Sequence, residues 1–278
     1  MRRTLKASWS LFKIRSAEGL QYRLAALSGA TVSVFWALIE AVILTVFFKY
    51  GSNTAGTVNG LNLQQGISYI WLGQLMVMLQ MPGIDGDLLK KIVNGDIGVE
   101  LCRPLDLYWH WFARTAAGKV NAFVLRGGTV ILCGAALTLL GAAQIGLGAP
   151  RSFLRFLLFL GALLNAFFFS AAYSMFVTAI RVGVAWGDGP LNLIIVTGMV
   201  LSGGYLPLQL WPDFMQSFLR LQPFASYLDT PARLYVGSVS LREGILSVLV
   251  QAAWISVFII LGKRIMKRKL KAVVVQGG

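Results

Sequence analysis

Histidine occurs once in this chain and cysteine twice, and only 11 of its 278 residues are acidic. So few ligand groups cannot assemble a usual zinc site, which draws several His, Cys or carboxylate side chains to one point. No G-x-x-x-x-G-K-[ST] occurs, so the backbone cradle and lysine for nucleoside-triphosphate phosphates are missing, and the chain does not hydrolyse ATP alone. The G-x-S-x-G elbow of serine hydrolases is also absent. Cys102 falls in a polar stretch and Cys133 in an apolar run. A bond between them would join water to hydrocarbon, so two free thiols are expected. There is no internal repeat and no low-complexity tract. Charged residues make up only 13% of the chain, about half the share a soluble domain carries.

What is present is apolar: 56% of the residues are hydrophobic and the mean hydropathy is +0.69, the composition of a membrane protein. The net charge of +14 would point to nucleic acid on a soluble surface. Here the basic residues gather at the ends. Arg2, Arg3, Lys6, Lys13, Arg15 and Arg23 precede the first apolar run, and Lys263, Arg264, Lys267, Arg268, Lys269 and Lys271 follow the last. This is juxtamembrane charge, with membrane lipid and not nucleic acid as its partner. The basic start with its long apolar run, which contains Glu40, reads as a retained signal anchor.

Apolar runs of about 20 residues place six spans near 28–48, 66–82, 121–143, 153–180, 190–206 and 245–262. The second is the weakest, because it carries Gln74 and Gln80. With both termini cytoplasmic, the inner side holds about three times the basic residues of the outer side. Within 1–27, Trp9, Phe12, Leu20, Leu24 and Leu27 recur at helical spacing, as in an amphipathic helix lying in the membrane surface. The segment 207–244 is broken by Pro207, Pro212, Pro223 and Pro231 into pieces too short to cross, which predicts short helices at the outer surface that partly dip back.

Between spans two and three, the cytoplasmic segment 83–118 is charged. Asp85 and Asp87 are suited to cap a short helix ending at Asn94-Gly95, a second short element runs from Asp96 to Leu101 before Pro104, and Asp106 caps a third. Tyr108, Trp109, Trp111 and Phe112 follow at headgroup level. Within the spans, Glu40 must face protein or water, because an ionised side chain there costs about 3 kcal/mol or more. It is either part of a substrate path or a tie from span one to Gln74, Asn165 or Ser170. Phe167, Phe168, Phe169 and Tyr173 line an apolar pathway, face lipid or pack as core.

Two passages carry a resemblance. The stretch 92–106, "IVNGDIGVELCRPLD", and the stretch 204–237, "GYLPLQLWPDFMQSFLRLQPFASYLDTPARLYVG", are similar to segments of the ABC-2 family, the permease subunits of type-2 ATP-binding cassette exporters. Asn94, Gly95, Ile97, Leu101, Arg103, Pro104 and Leu105 fit an N-G-x-I…L-x-R-P-L pattern. Pro207, Leu208, Pro212, Pro223, Phe224 and Pro231 fit the outer one, with Gln222 where a leucine is expected. The resemblance implies one all-α transmembrane domain over 1–278, with six transmembrane helices, an N-terminal interfacial helix, a cytoplasmic coupling helix and short re-entrant helices before the last span. It implies a bacterial inner-membrane permease that is not itself an enzyme and exports a hydrophobic or amphipathic solute. It pairs with a second permease, identical or homologous, and with two cassette ATPase subunits that bind the ATP and magnesium, while this chain binds no cofactor. Asp85, Asp87, Asn94, Gly95, Asp96, Glu100, Arg103 and Pro104 would dock on the ATPase, and Glu40, Gln74, Asn165 and Tyr173 are candidates for the transport path. A second reading is a scaffold that recruits a cytoplasmic partner without transport, and a third, an intramembrane enzyme, rests on Glu40.

Overall fold

The computed structural model describes residues 23–50, 57–58, 61–83, 86–94, 98, 106–142, 144–182 and 188–271, and almost all of them are helical. The elements are α1 (Arg23–Tyr50), a short antiparallel pair β1 (Thr57–Val58) and β2 (Leu61–Asn62), α2 (Leu63–Gln80) and α3 (Gly86–Val93). Then come α4 (Leu107–Leu139), continuous through a π turn at Phe123–Gly127, α5 (Phe153–Arg181) and α6 (Asp188–Ser202). A 3-10 turn (Leu208–Leu210), α7 (Asp213–Leu221), a second 3-10 turn (Pro223–Ser226), α8 (Asp229–Val236) and α9 (Leu241–Leu270) complete the chain.

Among the described residues, four helices are long and apolar enough to cross a bilayer: Leu27–Tyr50 within α1, then α4, α5 and α9, with 24, 33, 29 and 30 residues. At about 1.5 Å per residue each exceeds a hydrocarbon core of about 30 Å. The expected span at 66–82 is α2, which has 18 residues. The expected span at 190–206 is α6, with 15 residues and an apolar part of only Asn192–Ser202. Span three was expected to begin at 121, but its helix begins at Leu107. The Asp106 side chain accepts from the backbone N–H of Tyr108 and Trp109, and nothing breaks the helix after the aromatic group. The amphipathic helix expected before residue 23 lies outside the described residues.

The main seam joins α5 to α9. Buried Phe159, Ala162, Ala166, Phe169, Tyr173 and Val177 recur along α5 at three- and four-residue steps, and the alanines let the backbones approach closely. Gln251 of α9 crosses this seam and donates to the carbonyls of Ala162 (3.3 Å) and Ser226 (3.0 Å). Start signals are satisfied where a helix must begin at a fixed point. Asn62 and Gln65 form a capping box on α2, and Ser240 and Glu243 form one on α9, each filling two otherwise unpaired backbone donors.

α2 sits inside the bundle, with 14 of its 18 residues buried. Its polar side chains therefore reach protein. Gln64 donates to Gly146 O, Gln65 to Val236 O and Trp71 to Ile145 O. Ser68 receives the N–H of Gly148. These bonds tie α2 to the loop after α4 and to α8.

The segment 207–244 does form the short helices expected at its prolines, yet it is mostly interior. Every residue of α8 is buried. The turn Pro223–Ser226 packs Phe224 edge-on against Tyr173 at 5.4 Å, and Tyr173 lies about 30 Å along α5 from Phe153. Irregular backbone at that depth is tolerated only when enclosed by protein with its polar groups paired. Gln222 does much of the pairing: it is 6% exposed, donates to Leu201 O (2.7 Å) and Leu219 O (3.1 Å), and accepts from Phe224 N. The amide at the position where leucine was expected thus holds this turn.

Candidate functional site

The C-terminal ends of α2, α5 and α9 meet the start of α4 at one end of the bundle, and the charged segment leaves from there. α3 is a short helix with Leu88 buried beneath it, and the Asn94 N–H closes its last turn on Lys90 O. Asp87 pairs with Arg114 of α4 at 2.5 Å, a half-exposed contact worth at most about 1 kcal/mol. Of the expected docking residues, Asp87 and Asn94 lie in and just after α3. Asp85, Gly95, Asp96, Glu100, Arg103 and Pro104 lie outside the described residues, as does the short element expected from Asp96 to Leu101 apart from Gly98, which is helical and half-buried.

Both ends of this segment are fastened to long helices. On the entering side, Gly83 N–H donates to Ser174 Oγ of α5 at 3.1 Å. Buried Lys119 of α4 donates to the carbonyls of Met78 (3.0 Å) and Met81, filling acceptors that the end of α2 leaves open. Arg126 of α4 donates to Ser33 Oγ of α1 at 2.9 Å. On the leaving side, Asp106 caps α4 and also pairs with Lys263 of α9 at 2.8 Å, while Lys263 lies over the Trp109 ring at 5.6 Å. A cavity of about 290 Å3 opens here, walled by Met78, Met81, Arg114, Thr115 and Lys119. Its lining is apolar on one side and cationic on the other.

The four residues expected on a transport path fall in three places. Gln74 donates to Glu40 Oε1 at 3.2 Å, so these two meet between α1 and α2. Asn165 donates to Val248 O at 3.4 Å across the α5–α9 seam. Tyr173 belongs to an aromatic cluster with Phe176, Phe224, Tyr227 and Phe258. Ser170, the other partner considered for Glu40, instead donates to Leu79 O at 2.7 Å. The geometry fits a helix tie at Glu40 and Gln74, a seam contact at Asn165 and a packed core at Tyr173.

A buried charge cluster went unread in the sequence. Asp229, 2% exposed, accepts from Tyr69 OH of α2 at 3.1 Å and faces Arg233 at 3.6 Å one turn along α8. Burial pushes its carboxyl above the ordinary aspartate range, and the Arg233 guanidinium and the Tyr69 hydroxyl oppose this. An acid and a base four residues apart in "DTPAR" were the available signal. Only the tertiary fold shows that both leave water.

Among the described residues, no group of three or more His, Cys, Asp or Glu side chains is placed to hold a metal. Cys133 is a free thiol, and Cys102 lies outside the described residues. A family model described as an ABC-2 family transporter protein matches residues 34–277. No curated protein and no solved structure matches the chain.

Proposed function

Because the chain belongs to the ABC-2 family of transporter proteins, and so is a multi-pass membrane component of a transporter, we propose that it is the permease of an exporter powered by separate ATPase subunits. Its cargo is a hydrophobic or amphipathic solute, it works paired with a second permease, and it resides in the bacterial inner membrane with both termini in the cytoplasm. α2 and α6 complete six crossings in this reading. α2 is surrounded by protein, and α6 runs into the turns that fold back inside.

One observation supports the coupling role most strongly. The segment between α2 and α4 is pinned to α5 through Gly83 and Ser174 and to α9 through Asp106 and Lys263. A force applied to it reaches the two helices that form the main seam, which is the geometry a rigid-body switch requires. Residues 85–106 are then the surface on which the ATPase docks, and their charges set the register of that contact. The methionine lining of the adjoining cavity suits the apolar part of a solute entering from the same side.

Two experiments test this reading. The full chain, expressed with a cassette ATPase encoded beside it, is expected to co-purify with two ATPase subunits per pair of permeases, whereas isolation without any ATPase returns the protein to the scaffold reading. Cysteines placed at Ser8 and Gln276 are expected to label from the cytoplasm, and one at Gln216 from outside. Termini on opposite faces would remove the six-span arrangement.

A further inference from the structure

At the end of the bundle where α9 leaves the bilayer, a groove of about 410 Å3 runs between it and the start of α4. Its walls are apolar: Leu107 and Tyr108 on one side, Met266 and Leu270 on the other. Lys263 and Lys267 stand at its rim. We propose that this groove binds one anionic phospholipid of the adjacent leaflet, with its phosphate at Lys267 and its acyl chains along the apolar walls.

Charge selects the headgroup. The last two turns of α9 carry Lys263, Arg264, Lys267, Arg268 and Lys269 and no acid. Asp106, the carboxylate of the groove, is occupied by capping α4 and by Lys263. Lys269 is also engaged, since it donates to Ile180 O. Lys267 is exposed, and its side chain has no hydrogen bond or ion pair among the described residues, so its charge is free for a phosphate.

Continuity selects a lipid over a soluble anion or an acidic protein surface. One turn deeper in α9, Ile260 (49% exposed) lies in line with Lys263 and Lys267, and Trp109 of α4 (38% exposed) stands beneath Lys263; together they form the face that meets acyl chains. The groove carries that apolar face up to the basic rim, so a single ligand that is apolar below and anionic above fills both. A solvated phosphate leaves the apolar walls wet, and an acidic protein face has nothing to place between Met266 and Leu270.

The test uses the full chain, delipidated in detergent and offered phosphatidylglycerol and phosphatidylcholine in equal amounts, with retention read by native mass spectrometry. A free lysine at the membrane surface corresponds to about a fivefold preference for the anionic lipid. That ratio is expected in the parent protein, falling toward one in Lys267→Gln and persisting in Lys267→Arg. Excess inorganic phosphate is expected to leave the lipid bound. Equal retention of both lipids by the parent, or an unchanged ratio in Lys267→Gln, overturns the proposal. Displacement by inorganic phosphate overturns it in favour of a free-anion site, and displacement by the purified ATPase in favour of a protein contact. Should Lys267→Gln fail to fold, photoreactive phosphatidylglycerol on the parent decides: crosslinks at 107–108 and 266–270 support the site, and crosslinks confined elsewhere sink it.

Discussion

In α2, 14 of 18 residues are buried, whereas α9 turns Ile245, Leu246, Leu249, Ile260 and Leu261 outward. Each helix follows from its surroundings. α9 faces lipid and must be apolar there, since hydrocarbon offers its side chains no hydrogen bonds. α2 faces protein on all sides, so glutamine, serine, tyrosine and tryptophan find carbonyls and a carboxylate to bond. Hydropathy measures the demand that lipid makes on a helix. It reads α9 easily and α2 poorly because α2 meets little lipid.

The largest effect separating the two is expected from their bulkiest contacts. Trp71 of α2 is 1% exposed, bonds to Ile145 O and lies against Gly134. Trp71→Ala should cost about 3–5 kcal/mol in an unfolding titration in detergent. Next is Asp229→Ala, which strands Arg233 in the interior and removes the acceptor of Tyr69. About 3 kcal/mol is expected, and adding Arg233→Met should recover much of it, because a buried charge costs most when its partner alone is removed. Stability of the single variant close to that of the parent would mean that water reaches this pair.

Glu40 sits where the two kinds of helix meet, on the lipid-facing α1 but bonded to Gln74 of α2. If Glu40 serves the transport path, Glu40→Gln, which preserves the shape and the acceptor for Gln74, lowers solute export with assembly and basal ATP hydrolysis intact. Unchanged export would leave Glu40 as a helix tie worth about 1 kcal/mol. The smallest effect belongs to the lipid face of α9. Leu249, 61% exposed, should tolerate alanine within about 0.5 kcal/mol, and a loss comparable to that of Trp71→Ala would place a protein surface, not lipid, against it.

What was legible in the sequence follows the same division. The helices around α1, α5 and α9 announce themselves by long apolar runs, and the capping signal at Asp106 marks the start of α4 correctly. The run at 121–143 hid the true length of α4, because Arg114 falls in the charged segment 83–118 and Lys119 just after it. Lys119 and Arg126 bond into α2 and α1. The prolines of 207–244 fixed where its short helices break, but not that the segment folds inside, which depends on Gln222, Gln251 and Asp229 finding partners distant in sequence. Gln74 was one of three partners considered for Glu40, and it is the one that bonds to it. Asn165 and Tyr173 belong to the α5–α9 seam, and no pattern within one helix tells a lined path from a packed one.

The central claim is that ATP-driven force enters through the segment between α2 and α4. Its most direct test is ATP hydrolysis by the reconstituted complex carrying Asp96→Lys with Glu100→Lys, which reverses charge on that segment outside the bilayer and leaves helix packing alone. At a partly desolvated contact the reversal costs several kcal/mol. The permease is expected to insert and pair normally while solute-stimulated hydrolysis is lost, and a compensating charge reversal on the ATPase should restore it. Full stimulated hydrolysis and transport in the double variant would contradict the account and move the coupling contact elsewhere.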